Sequence, residues 1–311
     1  MMRDVYLGCL TERMEEDPRV LVLGADLMHS DGTATLQDIF PRRVVNVGVQ
    51  EAHMVSMAAG LAAVGKIPLA HTFACFHARR SLDQAYISAA YARLPVKLIG
   101  TDPGITAAFN GATHMPLEDM GIMRSVPEMI VVEPTDPELL RSLLPQIINA
   151  SQPVYMRLYR KEVPAVHPVG TEAVLGRGIV LRDGSDASIL ASGLMVAEAL
   201  AAAHALRQQG LQVRVVDMFT LKPLDRRLVY QCAVETGAIV TAENHSVING
   251  LGAAVAETLA DLMPVPLERV GVQDRFGEVG SPDFLMQRFH MTAGDIVGAV
   301  RRVLGRKRRL T

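Results

Sequence analysis

Short apolar runs alternate with longer segments of helical periodicity along most of the chain. Each run ends close to a glycine, a proline or a polar residue, as buried strands between helices do. The first half contains predicted strands at 19–23, 67–71, 96–100, 129–132 and 154–158, and predicted helices at 51–64, 77–93 and 137–150. This alternation is typical of parallel sheets that are covered by helices.

The segment 163–176 interrupts the alternation, because it carries two prolines, a histidine and two glycines without any apolar period. Beyond it we predict strands at 187–191, 213–216, 239–242 and 267–270, and helices at 196–209, 252–262, 282–288 and 293–304. The sequence therefore predicts an α/β protein of two domains, each a mostly parallel sheet flanked by helices. We expect the first domain at 1–165, the linker at 166–175 and the second domain at 176–311.

The composition gives no sign of a polyanionic partner. The chain has 311 residues, of which 49% are hydrophobic and 21% charged, and its formal net charge is −2. We therefore expect no nucleic acid and no membrane as partner. Three cysteines lack metal-like spacing, the first residues lack a signal-peptide pattern, and no apolar run is long enough to span a bilayer. We expect a cytoplasmic protein.

One carboxylate, Glu51, lies where the sequence predicts little access to water. A buried strand is predicted from Val45, Val47 and Val49, and the inward face of the next helix from Met54, Met57, Ala58 and Leu61. Glu51 lies at the junction of these two elements. A buried carboxyl group is costly unless it is protonated, paired or able to bind a ligand, so Glu51 is the first candidate for chemistry.

Other candidates follow further strands of the first domain, whose carboxyl ends should share one edge of the sheet. Phe73 and Phe76 could stack on a flat heteroaromatic ring beside Glu51, or they could be core residues while Glu51 pairs with an arginine or lysine. His114, in the loop 110–116, could act as acid, base or hydrogen-bond donor, or it could satisfy backbone groups.

An anion would have to be held by side chains rather than by a standard phosphate loop. Neither a Gly-x-x-x-x-Gly-Lys-Ser/Thr loop nor a Gly-x-Gly-x-x-Gly turn after a strand occurs in the sequence. The candidate ligands are Arg3, Ser30 and Arg160, with Arg157 as an optional fourth. Their wide spacing leaves open that each is a surface or ion-pair residue.

Five segments of the first domain form a specific set when they are taken together. They are Gly24-Ala25-Asp26-Leu27, Gly48-Val49-Gln50-Glu51-Ala52-His53-Met54, Thr72-Phe73-Ala74-Cys75-Phe76, Gly111-Ala112-Thr113-His114-Met115-Pro116 and Arg124-Ser125-Val126-Pro127-Glu128-Met129. The set resembles the C-terminal part of transketolase, meaning its pyrimidine-binding domain followed by its C-terminal domain. The resemblance covers nearly the whole chain.

The resemblance implies an enzyme that depends on thiamine diphosphate. Glu51 matches the glutamate that bonds the aminopyrimidine ring nitrogen and promotes the imino tautomer of the cofactor. Phe73 and Phe76 match aromatic residues that pack on the pyrimidine, and Asp26 matches an aspartate near the cofactor. His114 matches a histidine that contacts sugar hydroxyls and assists proton transfer.

The resemblance also implies a substrate class and a partner. Arg3, Ser30 and Arg160 match three positions that hold the substrate phosphate, which indicates a phosphorylated sugar rather than a plain 2-oxoacid. The family segment that binds Mg²⁺ and the diphosphate belongs to an N-terminal domain. We expect a separate subunit to supply that domain, in an α₂β₂ assembly with the cofactor at the subunit interface, and no metal ligands in this chain.

The expected function is therefore the C-terminal subunit of a split transketolase, which transfers a two-carbon ketol unit between sugar phosphates. Three departures concern the sugar: Asn110 replaces an aspartate that reads a hydroxyl, Asp102 lies near a usual substrate histidine, and Arg79 replaces an aromatic residue beside the pyrimidine. The alternatives are a beta-type subunit of a 2-oxoacid dehydrogenase, a deoxyxylulose-phosphate-synthase-like enzyme, and a non-catalytic partner subunit.

Overall fold

The computed structural model describes residues 1–309, and the first six strands of that range lie side by side in one sheet. They are β1 (Val20–Gly24), β2 (Val44–Asn46), β3 (Ile67–Phe73), β4 (Lys97–Thr101), β5 (Ile130–Val132) and β6 (Val154–Leu158). All five pairings among them are parallel, in the order β5-β6-β4-β3-β1-β2. The expected parallel sheet of the first domain is confirmed.

The second half of the chain forms its own sheet and also extends the first one. Its strands are β7 (Ile179–Arg182), β8 (Ala187–Ala191), β9 (Val213–Asp217), β10 (Thr220–Lys222), β11 (Ile239–Ser246) and β12 (Leu267–Val272). The second sheet has the order β12-β11-β8-β9-β7, with only the edge strand β7 antiparallel. β10 instead pairs antiparallel with β5, so the second half of the chain completes the edge of the first sheet.

Helices pack on the sheets as the alternation predicts. The first half contains α1 (Met2–Glu16), α2 (Met28–Asp31), α3 (Ala34–Ile39), α4 (Glu51–Ala63), α5 (Ala74–Arg80), α6 (Leu82–Gln84), α7 (Asp119–Ser125) and α8 (Pro137–Asn149). The second half contains α9 (Met195–Arg207), α10 (Arg226–Thr236), α11 (Leu251–Leu262), α12 (Pro282–Arg288) and α13 (Ala293–Lys307). Both faces of the first sheet are buried, because Val22 packs in the cluster of α1 and α8 whereas Leu23 packs in that of α4.

The segment 166–175 runs between β6 and β7 and is anchored at its start. Asp136 caps α8 by accepting a hydrogen bond from the Leu139 N–H at 2.9 Å. Its second carboxylate oxygen accepts from the backbone N–H groups of Val166 at 2.8 Å and His167 at 2.7 Å. The domain limits 1–165 and 176–311 stay a prediction, and residues 310–311 lie outside the described range.

The predicted single helix at 77–93 is wrong. This region is divided into α5, α6 and a π-helix at Ala85–Tyr91. The break falls at Ser81, whose φ of −126° departs from helical geometry. Its hydroxyl group donates to the carbonyl of His77 at 3.2 Å, and such local bonds compete with the helical ladder.

The predicted burial of Val45 and Val49 is also wrong. β2 has three residues and lies at the edge of the sheet, where Val44 is buried but Val45 is 37% exposed and Val49 60% exposed. An edge strand has only one neighbour, so side chains that leave the core face meet water. Of the three predicted valines, Val47 packs partly against the core.

A buried charge network joins the two domains. The guanidinium group of Arg157, on β6, is fully buried and donates to the carboxylates of Asp119 and Glu133. It also donates to the backbone oxygen of Asn244, on β11, at 3.0 Å. Burial opposes the charge of Arg157, but the two carboxylates outweigh it and hold the pKa of Arg157 well above its ordinary value.

Replacing Arg157 by leucine should destabilise the protein strongly. The change would leave the Asp119 and Glu133 carboxylates buried without their partner, which typically costs about 3–5 kcal/mol. Urea unfolding followed by circular dichroism measures the loss. Arg302→Leu is the control, because Arg302 pairs with Glu268 at the surface and should matter little. A loss no larger for Arg157→Leu than for the control would contradict the structural role.

His71 should make the stability of the fold depend on pH. It is fully buried, its Nε2 lies 3.0 Å from the Tyr6 hydroxyl, and burial lowers the pKa of His71 to about 3. An unfolded histidine titrates near pH 6.5. The contribution of His71 to the free energy of unfolding is therefore fully present above that pH and is lost as the pH drops toward 3. We expect His71 to cost about 2 kcal/mol at pH 5 relative to pH 8.

Urea unfolding at pH 8 and pH 5 tests this expectation. The variant His71→Gln should show a smaller loss between the two pH values than the parent chain, whatever its absolute stability. His204→Gln, at an exposed position of α9, is the matched control. The same pH dependence in His71→Gln and in the parent chain would contradict the assignment.

Candidate active site

The candidate residues of the first domain follow strands whose carboxyl ends meet at one edge of the sheet. The parallel register pairs Gly24 of β1 with Asn46 of β2 and with His71 of β3. It also pairs Thr101 of β4 with Phe73 of β3 and with Leu158 of β6. The segments that directly follow these strands carry Asp26, Glu51, Phe76, Asp102 and Arg160.

Glu51 is buried as predicted and is paired within the chain. It is the first residue of α4, its exposed fraction is 4%, and its Oε1 accepts from Nη1 of Arg80 at 2.7 Å. A helix N-terminus also favours a carboxylate. The guanidinium carbon of Arg80 lies 3.7 Å from the centroid of the Phe76 ring, so a flat cation is held between a carboxylate and an aromatic face.

The predicted aromatic residues and histidine form one cluster. The ring centroids of Phe73 and Phe76 are 5.7 Å apart, and the His114 ring lies 6.0 Å from Phe73 and 5.3 Å from Phe76. The Nδ1 atom of His114 is 2.8 Å from the Thr113 hydroxyl group. The other ring nitrogen, Nε2, takes no part in this contact.

The three predicted anion ligands come together although they are far apart in sequence. Arg160 donates to the hydroxyl group of Ser30 and, at 3.1 Å, to its backbone oxygen, while Nη1 of Arg3 lies 3.5 Å from the same oxygen. Arg160 also binds both carboxylate oxygens of Asp102, and its guanidinium carbon lies 5.2 Å from the Phe73 ring centroid. The anion group thus adjoins the aromatic cluster.

A second carboxylate, Asp31, lies under this anion group. It is buried, and its Oδ1 accepts from the N–H of Thr33 at 2.9 Å and from the Thr33 hydroxyl group at 2.6 Å. Burial raises the pKa of Asp31, while Thr33, Arg160 and Arg3 act in the opposite direction. Two carboxyl groups, those of Asp102 and Asp31, thus lie near the arginines of the anion group.

Two predicted residues, Asp26 and Asn110, have no side-chain hydrogen bond to the cluster among the described residues. Asp26 adopts a left-handed φ of 61°, and its backbone N–H donates to Oδ1 of Asn46 at 3.1 Å. The same oxygen accepts from the Gly48 N–H at 3.0 Å. Asn110 is exposed at the end of the 3₁₀ segment Gly104–Asn110.

Sequence reasoning missed Asn46 and Arg80. Asn46 shapes the turns after both β1 and β2, and its place at a strand end before Gly48 was the available signal. Arg80 was foreseen only as an unnamed partner of Glu51. Its position four residues after Phe76 on one helix face could have identified it. Arg157 does not join the anion group, because its guanidinium faces the second domain.

Residues 1–309 contain neither a metal-binding cluster nor a helix that could span a membrane. No group of three or more histidine, cysteine, aspartate or glutamate side chains could hold a metal ion. No helix has both the length and the apolar character that crossing a membrane requires.

Comparison with known proteins identifies the family. The family model of the transketolase pyrimidine-binding domain matches residues 1–166, and that of the transketolase C-terminal domain matches residues 176–296. The 6-deoxy-6-sulfo-D-fructose transketolase subunit SqwH of Clostridium sp. (strain MSTE9) is 49% identical over 98% of this chain and 95% of its own length. An apulose-4-phosphate transketolase subunit of Phocaeicola vulgatus is 37% identical over 88% of this chain and 87% of its own length.

A solved structure agrees with these matches. A split-gene transketolase, described as an inactive beta4 tetramer, is 43% identical and superposes with a TM-score of 0.91 over 98% of both chains. The chain therefore belongs to the transketolase family and comprises its pyrimidine-binding and C-terminal domains.

Proposed function

We propose that the chain is the C-terminal subunit of a split, thiamine-diphosphate-dependent transketolase that transfers a two-carbon ketol unit between anionic sugars. One observation carries the proposal. A continuous chain of contacts leads from Glu51 through Arg80, Phe76 and His114 to Phe73 and Arg160. A carboxylate for a ring nitrogen, two aromatic faces, a proton-transfer group and an anion site thus adjoin one another.

The residues around Glu51 fit the pyrimidine end of the cofactor. The guanidinium group of Arg80 resembles part of such a ring, because its planar N–C–N group lies on Phe76 and donates a hydrogen bond to Glu51. An aminopyrimidine ring offers the same combination of a flat face and a nitrogen that bonds a carboxylate. Glu51, Phe73 and Phe76 would hold that ring, and thiamine diphosphate supplies the carbanion that attacks the sugar carbonyl group.

Glu51 and His114 would handle protons at two places. The Glu51 carboxyl group would share a proton with the ring nitrogen, in a setting from which water is largely excluded. Nε2 of His114, which is free of the Thr113 bond, would exchange a proton with a sugar hydroxyl group. Asp102 and Asn110 would contact other sugar hydroxyl groups, and Asp26 would contribute near the cofactor.

The anion group would fix the far end of the sugar. Arg3, Ser30 and Arg160 support a phosphate as the group that is bound, since arginine forks match its oxygens. A sulfonate is the second candidate. Asp102 pairs with Arg160, and this negative charge favours a singly charged anion over a phosphate dianion. The similarity to a sulfosugar transketolase subunit supports the same candidate.

Partners follow from the family. An N-terminal transketolase subunit would hold Mg²⁺ and the diphosphate, and the two kinds of chain would form an α₂β₂ assembly in the cytoplasm. Similarity to a split-gene tetramer supports self-association of this chain. A 2-oxoacid dehydrogenase subunit remains an alternative, but it has no evident use for Arg3, Ser30 and Arg160. A deoxyxylulose-phosphate-synthase-like enzyme is a second alternative, since it shares Glu51. A non-catalytic partner subunit is a third, but such a subunit would not need Glu51.

Glu51→Gln should abolish most turnover in the complex with the N-terminal subunit. An amide cannot share a proton with the ring nitrogen, and proton transfer of this kind contributes on the order of 100-fold or more. Ketol transfer is measured by a coupled assay, and cofactor binding by titration calorimetry. The control is Glu16→Gln at an exposed ion pair. Near-normal turnover of Glu51→Gln would refute the proposed role of this carboxyl group.

Arg160→Ala should impair anionic sugars selectively. Loss of a charge-assisted contact predicts a KM about 10- to 100-fold higher for a ketose 6-phosphate and for its 6-deoxy-6-sulfo analogue. An uncharged ketose should show little change. Asp102→Asn removes one competing charge and should lower the KM for the phosphate relative to the KM for the sulfonate. Arg19→Ala, which breaks a surface pair with Asp17, is the control. Equal effects on charged and uncharged sugars would indicate a purely structural arginine.

A further inference from the structure

A single arginine holds the loop that carries His114. Arg79, on α5, donates from Nη1 to the backbone oxygen of Thr113 at 3.0 Å and from Nη2 to that of Met115 at 3.1 Å. Its Nε donates to Oε1 of Glu118 at 2.5 Å. The two carbonyl groups belong to the residues on either side of His114, so the guanidinium fork spans the histidine.

Glu118, the residue that precedes α7, also bonds to the end of this loop. Its Oε2 accepts a hydrogen bond from the backbone N–H of Leu117 at 2.9 Å. The same helix that carries Arg79 also carries Phe76, whose ring lies 5.3 Å from the His114 ring. One rigid element therefore fixes both the backbone on each side of the histidine and the aromatic face against which the imidazole rests.

The second domain also packs against this loop. A Cβ atom on Gly277 would lie 2.7 Å from Sδ of Met115 and 3.1 Å from Cα of Ala112. A Cβ atom on Gly111, whose φ is +71°, would lie 2.7 Å from Cγ2 of Val279. The two loops can approach this closely only because glycines stand at both points.

We propose that Arg79 is a positioning residue for His114, and that Arg79 and Gly277 together form a clamp on the loop 111–117. This inference rests on the proposed role of His114 in proton transfer. Arg79 stands where the family resemblance implies an aromatic residue, so this chain would replace a stacking contact by a polar clamp. Placing a reacting group within a fraction of an ångström is a large part of catalysis.

An ordinary surface ion pair between Arg79 and Glu118 would contribute little. The clamp differs because one guanidinium group serves three acceptors at once, namely the Glu118 carboxylate and the two backbone carbonyl groups on either side of His114. A lysine offers one compact charge and cannot reach all three acceptors at once. The amide exchange rates and the kcat of Arg79→Lys should therefore lie between those of the parent chain and those of Arg79→Ala. A role of charge alone would make lysine equivalent to arginine.

The experiment combines backbone exchange with kinetics. Amide hydrogen exchange of the full-length chain is compared for the parent, Arg79→Ala, Arg79→Lys and Gly277→Ala, and kinetics are measured in the complex with the N-terminal subunit. The amides of His114 and Met115 bond to Gly111 and Ala112 within the loop. We expect their exchange to rise about 10-fold in Arg79→Ala and Gly277→Ala, and kcat to fall about 10- to 100-fold with KM changed little.

Matched controls are Arg226→Ala, which breaks an exposed pair with Asp261, and Gly60→Ala, where an added Cβ meets nothing within 4 Å. Unchanged exchange in Arg79→Ala, or a normal kcat despite faster exchange, would overturn the clamp. If the parent complex shows no ketol transfer, the proposed function fails, while the exchange measurement still decides whether Arg79 and Gly277 hold the loop.

Discussion

The arrangement of the two domains depends on the hydrogen bonds and ion pairs of one buried group, the guanidinium of Arg157. It binds two carboxylates of the first domain and the backbone oxygen of Asn244 in the second. The Asn244 side chain accepts from the Ile105 N–H at 3.0 Å and donates to the Pro103 oxygen at 3.1 Å. Gly104 lies so close to this amide that a side chain there would clash. The loop after β4 is thereby tied to the second domain.

Most of the charged side chains of the candidate site are paired with one another within the chain. Carboxylates are costly to bury, and three carboxylates in and beside the site have an arginine within hydrogen-bonding distance. The pairs are Glu51 with Arg80, Asp102 with Arg160 and Glu118 with Arg79. A ligand that bound to Glu51 or to Arg160 would replace a partner that is already present and would not meet a free buried charge. Binding affinity would then reflect a difference between two similar interactions.

Strands with continuous apolar runs could be predicted because burial on both faces leaves an unambiguous pattern. The bounds of β6 and β8 coincide with the prediction. The valines near β2 could not be placed, since a sequence does not reveal which strand lies at an edge. β10 was missed because a three-residue strand has almost no pattern of its own. The assembly of Arg3, Ser30 and Arg160 is set by strand order, so residue spacing alone could not establish it.

β10 has a consequence for how such a protein can be divided. It lies in the second half of the sequence but pairs with β5, so it covers the edge of the first sheet. A fragment ending in the linker would expose the N–H and C=O groups of β5 at an open edge, which invites pairing with other chains. Genes that split this architecture are therefore expected to keep the two domains described here on one polypeptide. We would expect gene fusion and gene fission to occur at points outside these two domains and not between them.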